Sequence, residues 1–374
     1  MNRRTISLTV VSLAGALTLA AAAAFAATSW QVVKSPDPGS NGMYVSRNLR
    51  EVTAASATRV WAAGFANGKA ILASWTGSGW HLDKLPHHAA YSLMAIDTNG
   101  SGVWATGLND SNNKVVVLQL KNGIWRYSTI PTAPALTSPV DLAVLSNSDV
   151  WIVGYSTGVS AVAIHWNGSS WSSDPPPVPA GASGVELNRV EKINGTSKVI
   201  GVGYYVKSSK FYPYAVEWTG SAWRVMSTPT SPQGNFFGVV VRSASSAWAV
   251  GWANPAATYP KTLIDHWNGI RWQRVSSPNR PYGNYLQSVD ASSNGDVWAV
   301  GYSAGPKRFD TLAVHWNGSR WALAATPDPY RGFDELFGIS HVPRTSTFWA
   351  VGSQGPARPA ALGENTLIER CTSC

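Results

Sequence analysis

Acidic side chains that could form a catalytic pair are few and scattered in this sequence. Asp110, Asp310, Asp334 and Glu335 stand in segments expected to be loops, in different copies of a repeated pattern and without a repeated pairing. Glycoside hydrolysis needs two carboxyl groups on either side of one bond. The Gly-x-Ser-x-Gly and His-Glu-x-x-His motifs of other hydrolases are absent. The sequence therefore predicts no catalytic residues.

The histidines and cysteines do not have the spacing of a metal site. His87 and His88 form a loop pair without obvious carboxylate partners, which favours a solvated pair. Cys371 and Cys374 are the only cysteines, and a zinc site needs about four ligands, which no second Cys or His pair completes. We expect no metal and no cofactor, with Cys371 either in a structural role or in a local disulfide.

Any functional side chain of this protein must be positioned by a repeated structural unit. The core of the segment Trp298-Ala-Val-Gly-Tyr302 recurs along the chain. Its copies start at Trp61, Trp104, Trp151, Ile200, Trp248, Trp298 and Trp349, at spacings of 43 to 51 residues. Self-similarity at such a period indicates a propeller, a solenoid or an array.

Each copy contains four strand signals separated by turn residues. In the sixth copy, the predicted strands are residues 284–291, 296–302, 311–316 and 320–325. Asn317-Gly318 lies between the last two and predicts a type I′ hairpin, in which both central residues need a positive φ. No segment after residue 27 has a helical period.

The tryptophans support this register, because 18 of the 19 fall on three positions of the repeat. We therefore interpret them as packing residues. His165, His266 and His315 share one further position, which Ser74, Gln119, Glu217 and Arg370 occupy in other copies, and this tolerance indicates a structural role. Along the second strand, Ala299 and Gly301 leave one face shallow, so the bulky face of one sheet is expected to nest against the shallow face of the next.

The two ends of the chain complement each other. Residues 30–36, Trp-Gln-Val-Val-Lys-Ser-Pro, match a fourth strand with nothing of strands one to three before them, whereas the last copy ends after its third strand at Cys371. An open solenoid needs capping repeats, and neither end offers one. The sequence therefore predicts an all-β fold over residues 28–374: a seven-bladed β-propeller of four-stranded antiparallel blades, closed by the N-terminal strand.

With these features the chain resembles the seven-bladed β-propeller superfamily. The Gly-aromatic end of the second strand and the later Trp are similar to kelch and galactose-oxidase-type blades, although the kelch double glycine is missing. The Val-Trp-Ala-Val-Gly and His-Trp-Asn-Gly segments resemble the Trp-rich repeats of exported bacterial proteins. The resemblance implies a fold and leaves the function open, since this superfamily hosts many unrelated functions.

Binding residues are expected on the face that carries the connections between strands two and three and between successive blades, which we predict to be longer than the opposite turns. The residue after the glycine of the repeated core, which is Gly301 in the sixth copy, is aromatic in most copies. The candidate ligand-binding residues are Tyr155, Tyr204, Trp252, Tyr302 and Phe65 at that position, with Tyr259, Lys307 and Arg308 from nearby loops; Lys261, Phe211, Tyr212, Tyr282 and Tyr330 lie close by in sequence. The alternative interpretation of each aromatic is blade packing.

Residues 1–27 predict an export signal, with Arg3 and Arg4 before an apolar run and Ala24-Phe-Ala26 as a cleavage site. An uncleaved membrane anchor is the competing interpretation. The chain is mildly basic, with a formal net charge of +9, but its Lys and Arg residues do not cluster as a nucleic-acid footprint would require.

From these features we expect a secreted or cell-surface, monomeric, non-catalytic binding scaffold for an extracellular carbohydrate or protein. It would contact no nucleic acid and would not insert stably into a membrane after signal cleavage. The alternative is an extracellular propeller enzyme that acts on polysaccharides or oxidises sugars. Carboxylates from different blades that converge in a central channel would favour the enzyme.

Overall fold

The computed structural model describes residues 30–38, 46–86, 91–109, 114–128, 138–156, 160–253, 259–356 and 363–374. The described residues form β-strands and contain no helix, and so none long and apolar enough to cross a membrane. The predicted signal, His87, His88 and Asp110 lie outside the described residues.

The strands form five four-stranded sheets and one eight-stranded sheet. The eight-stranded sheet consists of two antiparallel halves, which are joined through a single parallel bridge between Ser160 and Val185. Each half has the strand order of the other sheets. We therefore describe the fold as four-stranded units, numbered along the chain.

Units 1 to 3 contain the following strands. Unit 1 has β2 (Arg47–Ser56), β3 (Arg59–Ala66), β4 (Lys69–Trp75) and β5 (Trp80–Leu82). Unit 2 has β6 (Tyr91–Thr98), β7 (Val103–Asn109), β8 (Lys114–Lys121) and β9 (Ile124–Ser128). Unit 3 has β10 (Ser138–Ser146), β11 (Asp149–Ser156), β12 (Ser160–Trp166) and β13 (Trp171–Ser173).

Units 4 to 7 repeat this order. Unit 4 has β14 (Gly184–Lys192), β15 (Val199–Lys207), β16 (Lys210–Trp218) and β17 (Trp223–Met226). Unit 5 has β18 (Gly234–Ser243), β19 (Ser246–Ala253), β20 (Lys261–Trp267) and β21 (Trp272–Arg274). Unit 6 has β22 (Gly283–Ser293), β23 (Asp296–Ala304), β24 (Phe309–Trp316) and β25 (Trp321–Ala324). Unit 7 has β26 (Glu335–His341), β27 (Phe348–Gln354), β28 (Asn365–Cys371) and β1 (Gln31–Val32).

The N-terminal strand pairs with the last strand of the chain, as predicted. Gln31 lies opposite Arg370, and Val32 lies opposite Glu369. The segment that follows β1 also docks as in other units, because Asp37 Oδ1 accepts the backbone N–H of Thr366 at 2.9 Å. In unit 6, Asp328 Oδ1 accepts the backbone N–H of Thr311 at 2.7 Å in the same way.

Indole rings fill the interfaces between consecutive units. The second-strand tryptophan of one unit contacts the third- and fourth-strand tryptophans of the next, as in Trp151 with Trp218 at 4.8 Å and Trp223 at 5.2 Å between ring centroids. Trp349 of unit 7 makes the same contacts with Trp75 and Trp80 of unit 1, at 5.0 and 5.3 Å. The prediction that these residues are packing residues is confirmed.

The nesting predicted for the two faces of the second strand is confirmed, because Trp248 and Val250 of unit 5 pack in one cluster with Ala299 of unit 6. The glycine at the end of this strand has a further reason, which lies within its own sheet. A Cβ placed on Gly301 would lie 1.9 Å from the carbonyl oxygen of Tyr285, which belongs to the neighbouring strand of the same sheet. The equivalent glycines of the other units meet the same obstacle at 1.8–2.0 Å: Gly64, Gly107, Gly154, Gly203, Gly251 and Gly352. The glycine is therefore required because a β-bulge in the first strand brings its backbone too close for a side chain.

The type I′ turn predicted at Asn317-Gly318 is wrong. Gly318 has a φ of 89°, but Asn317 is not among the residues with positive φ. Instead, Asn317 Oδ1 accepts the backbone N–H groups of Ser319 and Arg320 at 3.1 and 3.0 Å. This side-chain bond closes a four-residue connection between the paired Trp316 and Trp321. Asn122 and Gly123, with φ of 52° and 75°, do form the two-residue turn.

The two cysteines form a disulfide, with 5.8 Å between their Cα atoms. Cys371 is fully buried and lies opposite Phe348, the register that Trp316 holds opposite Val297 in unit 6. The sequence alignment that placed Cys371 at a buried tryptophan position is therefore confirmed.

Candidate functional site

The first strands line a common channel. Each carries a β-bulge at the same register, and the extra residue of each bulge lines one cavity of about 190 Å³. These residues are Arg50, Met94, Val140, Asn188, Phe237, Gln287 and Phe337. A bulge re-aims a side chain that would otherwise face a neighbouring sheet. The mouth of the channel is therefore built from one residue of every unit.

Arg189 blocks the channel below this mouth. Its guanidinium pairs with the Glu51 carboxylate, lies 3.2 Å from Asp141 Oδ1, and donates to Ser288 Oγ at 3.2 Å. Burial raises the pKa of Glu51 to about 7, assisted by the Asp141 carboxylate and opposed by Arg189. Four units thus meet on one guanidinium, because a fork of five N–H donors can satisfy several buried acceptors at once.

Further carboxylates converge deeper in the channel, where Asp97, Glu191 and Asp290 line a cavity of about 80 Å³. Asp97 pairs with Lys192 at 2.9 Å. Burial raises the pKa of Glu191 to about 8, with Lys192 opposing this shift. This convergence is the feature that the enzyme alternative required.

Most of these carboxylates are engaged in holding consecutive units together. Asp97 accepts the backbone N–H of Val144 at 2.7 Å, and Asp141 accepts that of Val190 at 2.7 Å. Asp290 accepts that of His341, also at 2.7 Å. Each bond joins the first strand of one unit to that of the next. These bonds support the architecture, and they engage Asp97, Asp141 and Asp290 in contacts between units rather than leaving them free.

The mouth of the channel opens on the face where strands two and three are connected. Rings on this face form a continuous path across units 5 and 6. The centroid distances are 6.3 Å from Trp252 to Tyr285, 5.0 Å from Tyr285 to Tyr302, 5.4 Å from Tyr302 to Phe309 and 5.0 Å from Phe309 to Phe333. All five side chains are half-buried. We call this set the aromatic path.

The structure brings only some of the predicted binding residues together. Trp252 and Tyr302 belong to the aromatic path, and Tyr259 lies nearby in sequence, 5.7 Å from Tyr282. Tyr204 contacts Phe211 at 5.1 Å in unit 4, and burial raises its pKa. Tyr155 lies opposite Ser138 in unit 3.

The remaining candidates lie at the edges of this face. The Arg50 guanidinium lies 5.4 Å from the Phe65 ring and 4.7 Å from the Phe337 ring, beside the channel mouth. Arg308 forms an ion pair with Asp310 at 2.9 Å, and Lys307 is exposed.

Sequence reasoning missed Tyr285, Phe309, Phe333, Arg50 and Phe337. Tyr285 could have been found, because a strand register that pairs it with Tyr302 places both rings on one face. The bulge residues Arg50 and Phe337 carry no such signal, since a bulge changes the direction of a side chain without changing the hydrophobic pattern.

The connections on this face are less uniform than predicted. Asn67-Gly68 and Ser208-Ser209 are two-residue turns between strands two and three, with positive φ at all four residues. The expectation that this face carries longer loops is therefore wrong for units 1 and 4. Longer connections occur in other units, such as residues 305–308 in unit 6.

Other candidate chemical groups have structural partners. His165 stacks on Trp151 at 4.3 Å and lies 2.8 Å from Asp149, and His315 stacks on Trp298 at 4.2 Å. Asp334 is buried and accepts the backbone N–H groups of Tyr330 and Arg331 in its own loop. Among the residues that the structure describes, no group of three or more His, Cys, Asp or Glu residues has the arrangement of a metal site.

Comparison with known proteins gives structural likeness only. No protein-family model matches the sequence, and no curated protein matches it. Solved structures do match. YCF48 bound to a D1 peptide has a TM-score of 0.59 at 15% identity, over 92% of this chain and 95% of that chain. The fold is that of a β-propeller.

Two further propellers are similar. U3-55K has a TM-score of 0.58 at 12% identity, over 88% of this chain and 99% of that chain. The extracellular domain of the two-component system protein BT4673 from B. thetaiotaomicron has a TM-score of 0.54 at 12% identity, over 91% of this chain and 39% of that chain. At such identities the likeness extends to the fold alone.

Proposed function

We propose that this protein is an exported, non-catalytic binding propeller that takes an extended polypeptide segment across the face bearing the channel mouth. The aromatic path carries this proposal. Half-buried Tyr, Trp and Phe rings supply large contact areas at little cost in conformational entropy, and such residues are enriched at protein interfaces. The rings are only half-buried, and the exposed Lys307 lies in the connection between β23 and β24.

The choice of a polypeptide over a carbohydrate rests on two supports. The first is the shape of the site, because the rings form a continuous strip across two units rather than a single stacking platform. The second is the fold comparison, in which a propeller of similar structure binds a D1 peptide. A peptide laid along the strip would cross from unit 5 to unit 6.

Peptide-display selection followed by affinity measurement tests this proposal. Alanine variants of Tyr302, Tyr285 and Trp252 are expected to weaken binding of the selected peptide by about tenfold or more each, as hot-spot aromatics do. Tyr155→Ala and Tyr204→Ala, farther from the path, should have smaller effects. Ile270→Ala is the control, since Ile270 is 82% exposed in a turn on the opposite face.

Binding that all of these variants leave intact would reject this face. If the wild-type protein binds a carbohydrate on a glycan array and Tyr302→Ala loses that binding, the same face would be assigned to carbohydrate recognition.

We also propose that the units form one closed ring of seven blades, related to kelch and galactose-oxidase-type blades and to the Trp-rich repeats of exported bacterial proteins. Contacts between the first strands of consecutive units, including unit 7 with unit 1, support the closure. Pairing of β1 with β28 supports it too. Asp37→Ala should free the N-terminal segment for proteolysis, whereas Asp328→Ala, the equivalent change in unit 6, should not. Equal protease resistance at residues 30–38 in both variants would count against closure.

The proposal also covers how the protein is exported and whether it is a monomer. We propose cleavage after Ala26 or Ala27 and a monomeric mature protein without nucleic-acid ligands, on the basis of the signal pattern and the scattered basic residues. N-terminal sequencing of secreted protein and size-exclusion chromatography test the two statements. Protein retained in the membrane fraction at full length would support the anchor instead.

A further inference from the structure

A groove of about 810 Å³ lies between units 1 and 2, beside their outer strands β5 and β9. Trp61 and Trp125 line it with only 6% and 3% of their surfaces exposed, whereas Leu82 and Ile124 line it with 45% and 55% exposed. Its volume is within the range of about 300–1,000 Å³ that ligand pockets have. It is separate from the channel and from the aromatic path.

Two departures from the repeat explain why this groove is open. In five units the last residue of the third strand is a tryptophan: Trp75, Trp166, Trp218, Trp267 and Trp316. Where its contacts are resolved, this indole packs on the second-strand tryptophan of the preceding unit, as Trp316 does on Trp248 at 5.0 Å. Unit 2 has Leu120 at this register, so Trp61 lacks that partner.

The second departure is on the other side of Trp61. In units 3, 5 and 6 a third-strand histidine lies against the second-strand tryptophan, as His165 does on Trp151 at 4.3 Å. Unit 1 has the small Ser74 opposite Trp61. Both Ser74 and Leu120 line the groove. The Arg59 guanidinium lies 5.3 Å from the centroid of the Trp61 ring, so the ring is not left bare. The groove therefore corresponds to the place at Leu120 where other units have an indole.

Unit 7 shows that a missing tryptophan does not by itself leave a groove. Its third strand ends in Cys371, and the disulfide brings Cys374 against the same cluster as Trp298. At the interface of units 1 and 2, the described residues that pack against the cluster of Trp61 at this place are the partly buried Leu85 and Leu120.

We propose that this groove binds the indole side chain of a tryptophan supplied by a partner polypeptide. The walls already have the composition that packs on an indole in other units. A polar partner is also present, because the Asp83 carboxylate accepts Ser74 Oγ–H at 2.6 Å and Trp125 Nε1–H at 2.7 Å. A carboxylate has about four acceptor positions, so Asp83 can accept a further indole N–H. This site goes beyond the function proposed for the channel-mouth face and does not depend on it.

Fluorescence anisotropy with a labelled Gly-Ser-Gly-Trp-Gly-Ser-Gly peptide tests the proposal on the full mature protein. The peptide is expected to bind, and its Trp→Leu counterpart is not. Leu120→Trp restores the residue of the repeat and should weaken binding by about tenfold or more, a change of about 1.4 kcal/mol. The same variant should raise the melting temperature, because it fills the space from within.

A second variant tests the proposal independently in case Leu120→Trp does not fold. Ser74→His introduces the stacked imidazole of other units and should also reduce binding. Tyr302→Ala, on the channel-mouth face, is the matched control and should leave binding of this peptide unchanged.

Three results would overturn the proposal: equal binding of the Trp and Leu peptides, undiminished binding in a folded Leu120→Trp protein, or binding of N-acetyl-tryptophanamide without binding of the peptide. Loss of binding in Tyr302→Ala would also overturn it, by placing the indole on the other face.

Discussion

The interface of units 6 and 7 and the interface of units 1 and 2 are built on the same register but are filled differently. In the former, Trp298 is fully buried between His315 on its own sheet and Trp30, at 5.7 Å, on the next. In the latter, Trp61 faces Ser74 and Leu120, and a groove remains.

The difference shows that this architecture tolerates the loss of a packing residue at an interface. The backbone register is held by strand pairing within each sheet and by carboxylate to N–H bonds between first strands. Side chains at the outer end of an interface are thereby free to vary, and one such variation leaves a space with the dimensions of a ligand site.

Removal of the two tryptophans should give the largest contrast between the interfaces. Trp298→Ala should lower the free energy of unfolding by about 3–5 kcal/mol, because it leaves a cavity enclosed on both sides. Trp61→Ala should cost less, because Trp61 keeps 6% of its surface exposed and Leu120 replaces the indole that would pack on it. Urea denaturation measures both. Equal losses would mean that the groove is collapsed in solution and that the two interfaces are equivalent.

The disulfide should account for the next largest effect. Cys374→Ala should lower the free energy of unfolding by about 2 kcal/mol, through the entropy of a short loop and the loss of packing at the cluster of Trp298. Reductant should destabilise the wild type by a similar amount and leave the variant unchanged. A Cys374→Ala variant as stable as the oxidised wild type would show that the disulfide of unit 7 does not contribute to stability.

A buried carboxylate should make unit 7 sensitive to pH. Glu369 is fully buried, neither of its oxygens has a hydrogen-bond partner among the described residues, and unit 2 has Leu118 at the same register. Burial raises the pKa of Glu369, and Asp328 and Asp334 raise it further. Because the folded pKa exceeds the unfolded value of about 4.3, stability is lost as pH rises above that value.

Glu369→Leu should therefore stabilise the protein by roughly 1–2 kcal/mol at pH 8 and by less at pH 4.5. Asp265→Leu is the matched control at the same register of unit 5, where the carboxylate pairs with Arg274. It should destabilise the protein, because it leaves a guanidinium without its partner. Denaturation curves at the two pH values decide the matter, and a pH-independent effect of Glu369→Leu would refute the assignment.

Much of the fold could be predicted because the repeat encodes it locally. The alternation along Trp298-Ala-Val-Gly-Tyr302 gives the strand and its two faces, and the match of residues 30–36 to a fourth strand gives the pairing of the chain ends. The turn at Asn317 could not be predicted in detail, since Asn-Gly fits both the two-residue hairpin and the side-chain-closed connection that forms.

The candidate site was predicted less completely. Trp252 and Tyr302 were found through their repeat position, but Tyr285, Phe309 and Phe333 join them only through contacts between strands and loops. His87, His88 and Asp110 lie outside the described residues, so their interpretation stays a prediction.

The sequence by itself determined which residues face an interface, because the period of two along a strand and the repeat length of about fifty residues are written in the order of side chains. The tertiary structure alone decided what fills each interface and what meets in the channel. Arg189, Glu51 and Asp141 come from three units, and Trp61, Ser74 and Leu120 from two. Contacts between distant segments depend on the relative placement of whole sheets, which no local pattern specifies.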